Sequence, residues 1–430
     1  MMLGKTFRSV AAVFLMSFFG VIALADPIPA GYRGKNIEVV GYVDAAGTSP
    51  FKMSLLQDGD TWYMYASNFF HRGWSIFDVT DPTDPRMLKF IEGPDNTGTW
   101  QVDIADGLMI TGLNRLSANW GGDPDAPYAS EAVLIWSLDD PLNPEQIGSL
   151  TTGGGTHRNG YFGGRYMHLA ANHPDYRGEM YMIVDISDPT RPFEVGRYQP
   201  GGLLVSDPEP YDRARLHGPA DVRGDLAFLP FGGAGFIIVD ISNPADIREI
   251  GRLDFSPPFG PTHLSVHTAT PYLERNIAIV NGEAIAEECQ EPLNFAGLVD
   301  ISDMSQPRLL SQFPLPQPPE GEPADYFCTH GGRFGPHNQN QLQHNPLIKN
   351  QDDLVYLTYF NGGLRIFDIS TPINPKEVGW FIPPDPRERR GPLPRGALAL
   401  QSEEVVVDIR GNIYVSHKNQ GIWVLRYSEE

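Results

Sequence analysis

Four histidines carry the chemical argument of this chain. His157 in GTHRNG, His217 in HGPADVRG, His263 in PTHLSVH and His337 in GPHNQNQ each open a strand-like run that leads toward a turn. Aligned on those turns and on the strands that follow, they occupy one slot in four consecutive units, each within about one residue of register. Neutral imidazoles converging from separate rigid strands are what a divalent transition metal requires, with nitrogen ligands at about 2 Å. The competing reading is a set of hydrogen-bonding histidines that plug a channel. We therefore expect His157, His217, His263 and His337 as metal ligands, with copper or iron favoured and zinc as the other choice. His267 shares the strand face of His263 by period-two alternation, but deeper. Asp221 stands at the matching depth in its unit, and Glu283 suits either an acceptor orienting an imidazole or a general base. Glu283, Asp221 and His267 are thus the expected catalytic groups. His168, His330 and His344 read as packed or loop residues.

The register comes from a repeat. A phrase recurs as IFDVTDPTDP from Ile76, IVDISDPTRP from Ile183, IIVDISNP from Ile237, LVDISD from Leu298 and IFDISTPINP from Ile366. With the degenerate copies LIWSLDDPLNP from Leu134 and IWVLRYS from Ile422, it gives about seven units spaced roughly 50 to 70 residues apart. Each copy reads as a β-branched strand and a proline-punctuated turn, and residues 217 to 253 write out a whole four-stranded unit. The last unit stops near Tyr427 without a fourth strand, while NIEVVGYV at residues 36 to 43 looks like an orphan one. The expected fold is all-β: a seven-bladed β-propeller with four-stranded blades, its ring closed by an N-terminal strand completing the C-terminal blade. Residues 26–430 form its one domain.

First strands line the central channel of a propeller, so the histidine slots converge at one mouth. The loops joining second to third strands lie on that face, and they carry His71, His173, Glu283, Asn361 and His417. Arg387, Arg389, Arg390 and Arg395 form a basic loop that either clamps an anionic substrate there or is simply solvated. Phe69, Phe70, Trp74, Trp100, Trp120, Tyr161 and Phe360 include candidate walls for an apolar pocket.

Residues 1–25 read as a secretory signal: Lys5 and Arg8, an apolar run, then Ala23-Leu24-Ala25. No later segment is long and apolar enough to span a bilayer. The formal charge of −21 becomes about −23 on loss of Lys5 and Arg8, an acidity that repels nucleic acid and anionic lipid. A periplasmic or secreted location follows, and with it one disulfide between the two cysteines, Cys289 and Cys328, against the alternatives of free thiols or metal ligands. No nucleophile elbow, P-loop, dinucleotide fingerprint or HExxH helix stands in a fitting context.

IVDISDPTRP, IIVDISNP, LVDISD and IFDISTPINP resemble the LVIVD-repeat family of exported bacterial β-propellers, and the resemblance covers nearly all of the mature chain. It implies the fold and leaves the reaction open. The IFDISTP phrase alone is also similar to selenium-binding proteins that act as copper-dependent oxidases, and the converging histidines resemble the iron site of carotenoid-cleavage propellers. Three functions compete: a metal-dependent oxidoreductase acting on a small, aromatic or apolar substrate; a metal-assisted hydrolase or lyase; and a non-catalytic binding propeller. Oligomeric state is not expressed in the sequence.

Overall fold

The recurring phrase is a strand capped by a turn that its own aspartate closes. The Asp78 carboxylate accepts the Thr80 N–H at 2.9 Å, Asp185 that of Ser187 at 2.8 Å, Asp240 that of Ser242 at 2.8 Å, Asp300 that of Ser302 at 2.9 Å and Asp368 that of Ser370 at 2.7 Å. A short carboxylate reaching two residues along its own backbone mimics a backbone turn, and the proline that follows keeps the chain from continuing as a strand. Arg165 and Ser187 together hold the Asp185 carboxyl down at about 2.

The computed structural model describes residues 25–128, 131–211, 213–255, 262–292, 294–350 and 352–429. The expected signal segment therefore lies outside the described residues, apart from Ala25. Strands dominate, arranged in antiparallel four-stranded sheets. One sheet holds Thr156–Tyr161, Tyr166–Ala171, Met180–Asp185 and Phe193–Tyr198. The next holds Asp221–Arg223, Leu226–Pro230, Phe236–Asp240 and Arg248–Leu253, matching the unit written out from the sequence. Leu264–Tyr272, Ile277–Glu283, Ala296–Asp300 and Arg308–Gln312 follow.

Two N-terminal groups of four strands, starting at Pro50–Asp58 and Thr97–Ala105, are fused into an eight-stranded sheet by the single pair Asn68↔Thr99. Leu354–Thr358, Leu364–Asp368 and Lys376–Ile382 are extended outward by Arg33–Lys35, a pairing the sequence did not suggest. On their inner side an irregular segment replaces a regular strand, with the His337 N–H donating to the Thr358 carbonyl at 2.9 Å. Ile37–Val43 pairs antiparallel with Ile422–Tyr427, outside Ile413–His417 and Ser402–Val407. The orphan strand thus joins the last sheet.

Apolar layers fill the spaces between neighbouring sheets. Trp74 and Ile76 pack with Val102 and Met109, Phe228 and Ile238 with Val266 and Ala278, Ile279 and Leu298 with Leu357 and Phe367, and Val406 and Val424 with Met53 and Met64. The outermost strands bring the backbones closer still. A Cβ added to Gly196 would lie 1.7 Å from the Pro244 carbonyl oxygen of the next repeat turn, one on Gly251 2.2 Å from that of Met304, and one on Gly41 2.3 Å from that of Pro82. Only glycine permits that approach.

Cys289 and Cys328 are joined, 39 residues apart in sequence. Cys328 lies in the short helix Tyr326–Thr329, so the bond staples two long insertions. A Cys289→Ser/Cys328→Ser variant is expected to lose about 3 kcal/mol of stability. Denaturant unfolding checks this, and an unchanged midpoint would remove the bond from the stabilising interactions.

Candidate metal centre and its cavity

Five side chains from four sheets meet at one place. His157 is the second residue of Thr156–Tyr161, His217 lies in the irregular segment leading to Asp221–Arg223, and His267 is inside Leu264–Tyr272. Glu283 ends Ile277–Glu283, and His337 comes from the irregular segment beside Leu354–Thr358. Glu283 is the hub. Its Oε2 is 3.3 Å from His267 Nε2 and 3.6 Å from His217 Nε2, and its Oε1 is 3.7 Å from His337 Nε2. The His157 and His217 rings stack with centroids 3.9 Å apart. Two overlapping sets, His217–His267–Glu283 and His157–Glu179–His217, each bring their ligand atoms within 4.8 Å of one another. Donors at about 2.0–2.2 Å from one ion stand at this kind of separation.

The surroundings prepare these groups as ligands. Burial, then neighbouring positive charge, holds His157, His217, His267 and His337 well below the usual imidazole range, so all four are neutral at neutral pH. Burial also pushes Glu283 up to about 7, against the pull of Arg333, whose Nη1 donates to Oε1 at 3.0 Å. Glu403 accepts from Lys418 at 2.8 Å and stands 3.1 Å from His337 Nδ1, orienting that ring from behind. His267 Nδ1 meets the Thr268 hydroxyl at 2.8 Å, which leaves its Nε2 aimed at Glu283. His157 Nε2, His267 Nε2 and Glu283 Oε2 are buried without a hydrogen-bond partner among the described residues. Native interiors rarely leave such atoms unpaired.

Below the cluster the interior stays charged. Lys52 Nζ is 2.6 Å from Glu404 and also donates to Asn338 and Gln341 at 2.9 Å, all out of water. Asp103 accepts from Asn159 at 3.2 Å, and burial raises its pKa to about 8. A folded-state pKa raised above the ordinary 3.8 means that native protein holds the proton longer than unfolded chain does. Asp103 therefore costs stability as pH rises from about 4 to 8, at up to about 1.4 kcal/mol per pH unit. Asp103→Asn is expected to gain on the parent protein between pH 5 and 8; parallel urea melts at the two pH values with a constant difference would contradict this.

Above the cluster opens a cavity of about 650 Å³. Phe51, Phe69, Trp100 and Trp120 form an aromatic wall, with Trp100 and Trp120 centroids 5.4 Å apart. Arg158, Arg213, Arg215, Arg333 and Arg395 line the remainder beside His157, His217 and Glu283. A chain of strongly negative net charge thus lines this one cavity with guanidinium groups.

The LVIVD repeat matches residues 177–200, 220–254 and 349–381. The chain carries LVIVD repeats. No curated protein matches it. Among solved structures, this LVIVD-repeat chain is similar to the Cps50 (Swd1) β-propeller domain of Myceliophteria thermophila at 10% identity, covering 91% of this chain and 100% of that one, with a TM-score of 0.53. A protein from Lactobacillus plantarum is 11% identical, covers 89% of this chain and 98% of its own, and has a TM-score of 0.50. These likenesses show a β-propeller fold and carry no function.

Against the expectations for the LVIVD-repeat chain, His157, His217 and His337 do come together, with His267 and Glu283. His263 does not join them. Its imidazole is 62% exposed at the cavity rim and bound by Glu291, which also takes its backbone N–H. The reason is a register shift between Leu264 and Thr268, which gives the central position in that sheet to His267. Asp221 is likewise displaced: it pairs with Arg223 at 2.8 Å and lines a separate small cavity with Asp103 and His344. Burial raises its pKa to about 7, but it does not face the histidines. Of the basic loop, Arg395 reaches the cavity, whereas Arg390 is engaged by Asp44 and the Thr48 carbonyl. His168, against Tyr181, is packed as expected. Arg158, Glu179, Arg215 and Arg333 escaped the sequence reading, although Arg158 adjoins His157 and Arg333 precedes His337 by four positions.

Proposed function

We propose that this is an exported metal-dependent oxidoreductase on a seven-bladed propeller, counting the eight-stranded sheet as two blades and taking Ile37–Val43 as the strand that closes the ring. The metal is a transition ion bound by His217, His267 and Glu283, with His157 and His337 flanking it. The buried atoms His267 Nε2 and Glu283 Oε2, without a hydrogen-bond partner among the described residues, carry this reading, because one cation held with His217 satisfies both together. Two histidines and one carboxylate with open positions is the ligand pattern of non-haem iron(II) oxygenases, which favours iron and leaves copper as the next choice. A bound ion of this kind supplies redox chemistry at a position facing the cavity, where a small substrate would sit. The chain's own groups orient the ligands through Glu403 and Thr268 and wall the site with aromatic side chains.

The same donor set also suits a zinc hydrolase. Elemental analysis of tag-free protein purified from the exported fraction separates the readings. Near-stoichiometric iron or copper is expected, with an electron paramagnetic resonance signal from the oxidised iron(III) or copper(II) form. Stoichiometric zinc would turn the proposal into hydrolysis, and metal-free protein that takes up no iron, copper or zinc would end both. The intact disulfide supports an oxidising compartment, and among the described residues no helix is long and apolar enough to cross a membrane.

A further inference from the structure

The substrate's chemical class is written on the cavity wall. Arg158 is 2% exposed and lies over the Phe51 ring at 5.0 Å, yet its guanidinium is paired with no carboxylate among the described residues. Among the described residues its one side-chain hydrogen bond is to the His157 carbonyl at 3.3 Å, and its Nε has no partner there. Arg215, half-buried on the same wall, also has a buried Nε without a partner. The other buried cations here are matched: Arg333 by Glu283, Lys418 by Glu403 and Lys52 by Glu404. Burial lowers the Arg158 pKa only to about 10, so the charge persists at neutral pH. Glu179, Glu283, Glu403 and Glu404 act on this guanidinium only from a distance; a buried cation with no direct ion pair is costly, and a bound anion repays it with two parallel hydrogen bonds.

We propose that the cavity takes a small aromatic anion, its carboxylate, sulfate or phosphate group held by Arg158 and Arg215 and its ring set against Phe51 and Trp100. This rests on the metal-centre reading for its catalytic meaning, but the binding does not need the metal. The anion answers the unpaired positive charge beside His157 and His217, and the aromatic wall excludes water from the ring. A volume of about 650 Å³ accommodates such a molecule with room to spare.

Benzoate and phenyl phosphate are the probes, with benzyl alcohol as the uncharged control. Calorimetry on the mature chain, as purified and after chelator treatment, reads binding, and metal content is measured on the same samples. Benzoate or phenyl phosphate is expected to bind in both preparations, with benzyl alcohol at least about 30-fold weaker. Arg158→Gln is expected to weaken anion binding on the order of 30-fold, Arg215→Gln about tenfold, each leaving benzyl alcohol unaffected. If Arg158→Gln fails to fold, Arg215→Gln and the comparison of charged with uncharged probes decide the matter alone. Equal affinity for benzyl alcohol and benzoate, or no binding of either anion, overturns the proposal. So does anion binding unchanged in Arg215→Gln and in folded Arg158→Gln. Anion binding by a chain that never takes up metal would refute the metal centre alone, and metal without anion binding would refute this inference alone.

Discussion

Glu283→Gln is expected to weaken metal binding by more than about 100-fold, and His267→Ala by a similar factor, while His263→Ala leaves it within about twofold. Among the described residues Glu283 is the only carboxylate within 4 Å of three of the clustered imidazoles, so its charge is the one that holds an ion among those neutral ligands. The amide keeps the volume and one oxygen but loses the charge. It also releases Arg333, which then stands as an uncompensated cation beside the site, so a double Glu283→Gln/Arg333→Gln variant separates lost coordination from added repulsion. Competition against a chromophoric chelator gives the affinities. Thermal melts give a second reading, because an ion bound only by the native state raises the melting temperature with its concentration. Should His263→Ala release the ion as fully as His267→Ala, the assignment of ligands would be wrong.

Lys52→Met is expected to cost about 3–5 kcal/mol, among the largest single-site losses in the molecule. The ammonium has three partners, Glu404, Asn338 and Gln341, and neither it nor Glu404 touches water. Removing it leaves a carboxylate with no solvent and no direct ion-pair partner among the described residues, Arg158 acting only from a distance. Burial already raises Glu404 to about 7 with Lys52 present, and without that charge its pKa rises further. A folded-state pKa above the unfolded value favours the native state at low pH and loses that advantage as pH climbs, so the defect grows between about pH 5 and 8. Lys52→Met/Glu404→Leu is expected to recover most of the loss, since an apolar pair of similar volume carries no desolvation penalty. Guanidinium unfolding at the two pH values tests both variants; a double variant as unstable as the single one would show that the pair matters through its shape rather than its charge.

The fold was legible because the repeat encodes local hydrogen bonds. Asp185 and Ser187, or Asp368 and Ser370, need only their own neighbours to close a turn, so the same letters recur wherever that turn does. Pairing of Ile37–Val43 with Ile422–Tyr427 was legible for a similar reason, the fourth-strand pattern being present without a unit to own it. The candidate site was only partly legible. His157, His217 and His337 were found through the register, but the irregularity between Leu264 and Thr268 moved the central position from His263 to His267. No periodic rule anticipates a bulge of that kind. Arg158, Lys52 and Arg333 were missed because a cation in a strand or loop reads as a solvated one until the burial of its neighbours is known.

The glycines at the outer strands bear on how well any such site can be held. At Gly41, Gly196 and Gly251 one sheet meets the next through bare main chain, closer than a single methyl group would allow. The angular pitch between those sheets is therefore set at the periphery by rigid backbone contact rather than by side chains that can change rotamer. Donors delivered from several sheets inherit that stiffness, and a methyl group introduced at the rim, as in Gly196→Ala, acts as a lever on His157 at the opposite, innermost strand of the same sheet.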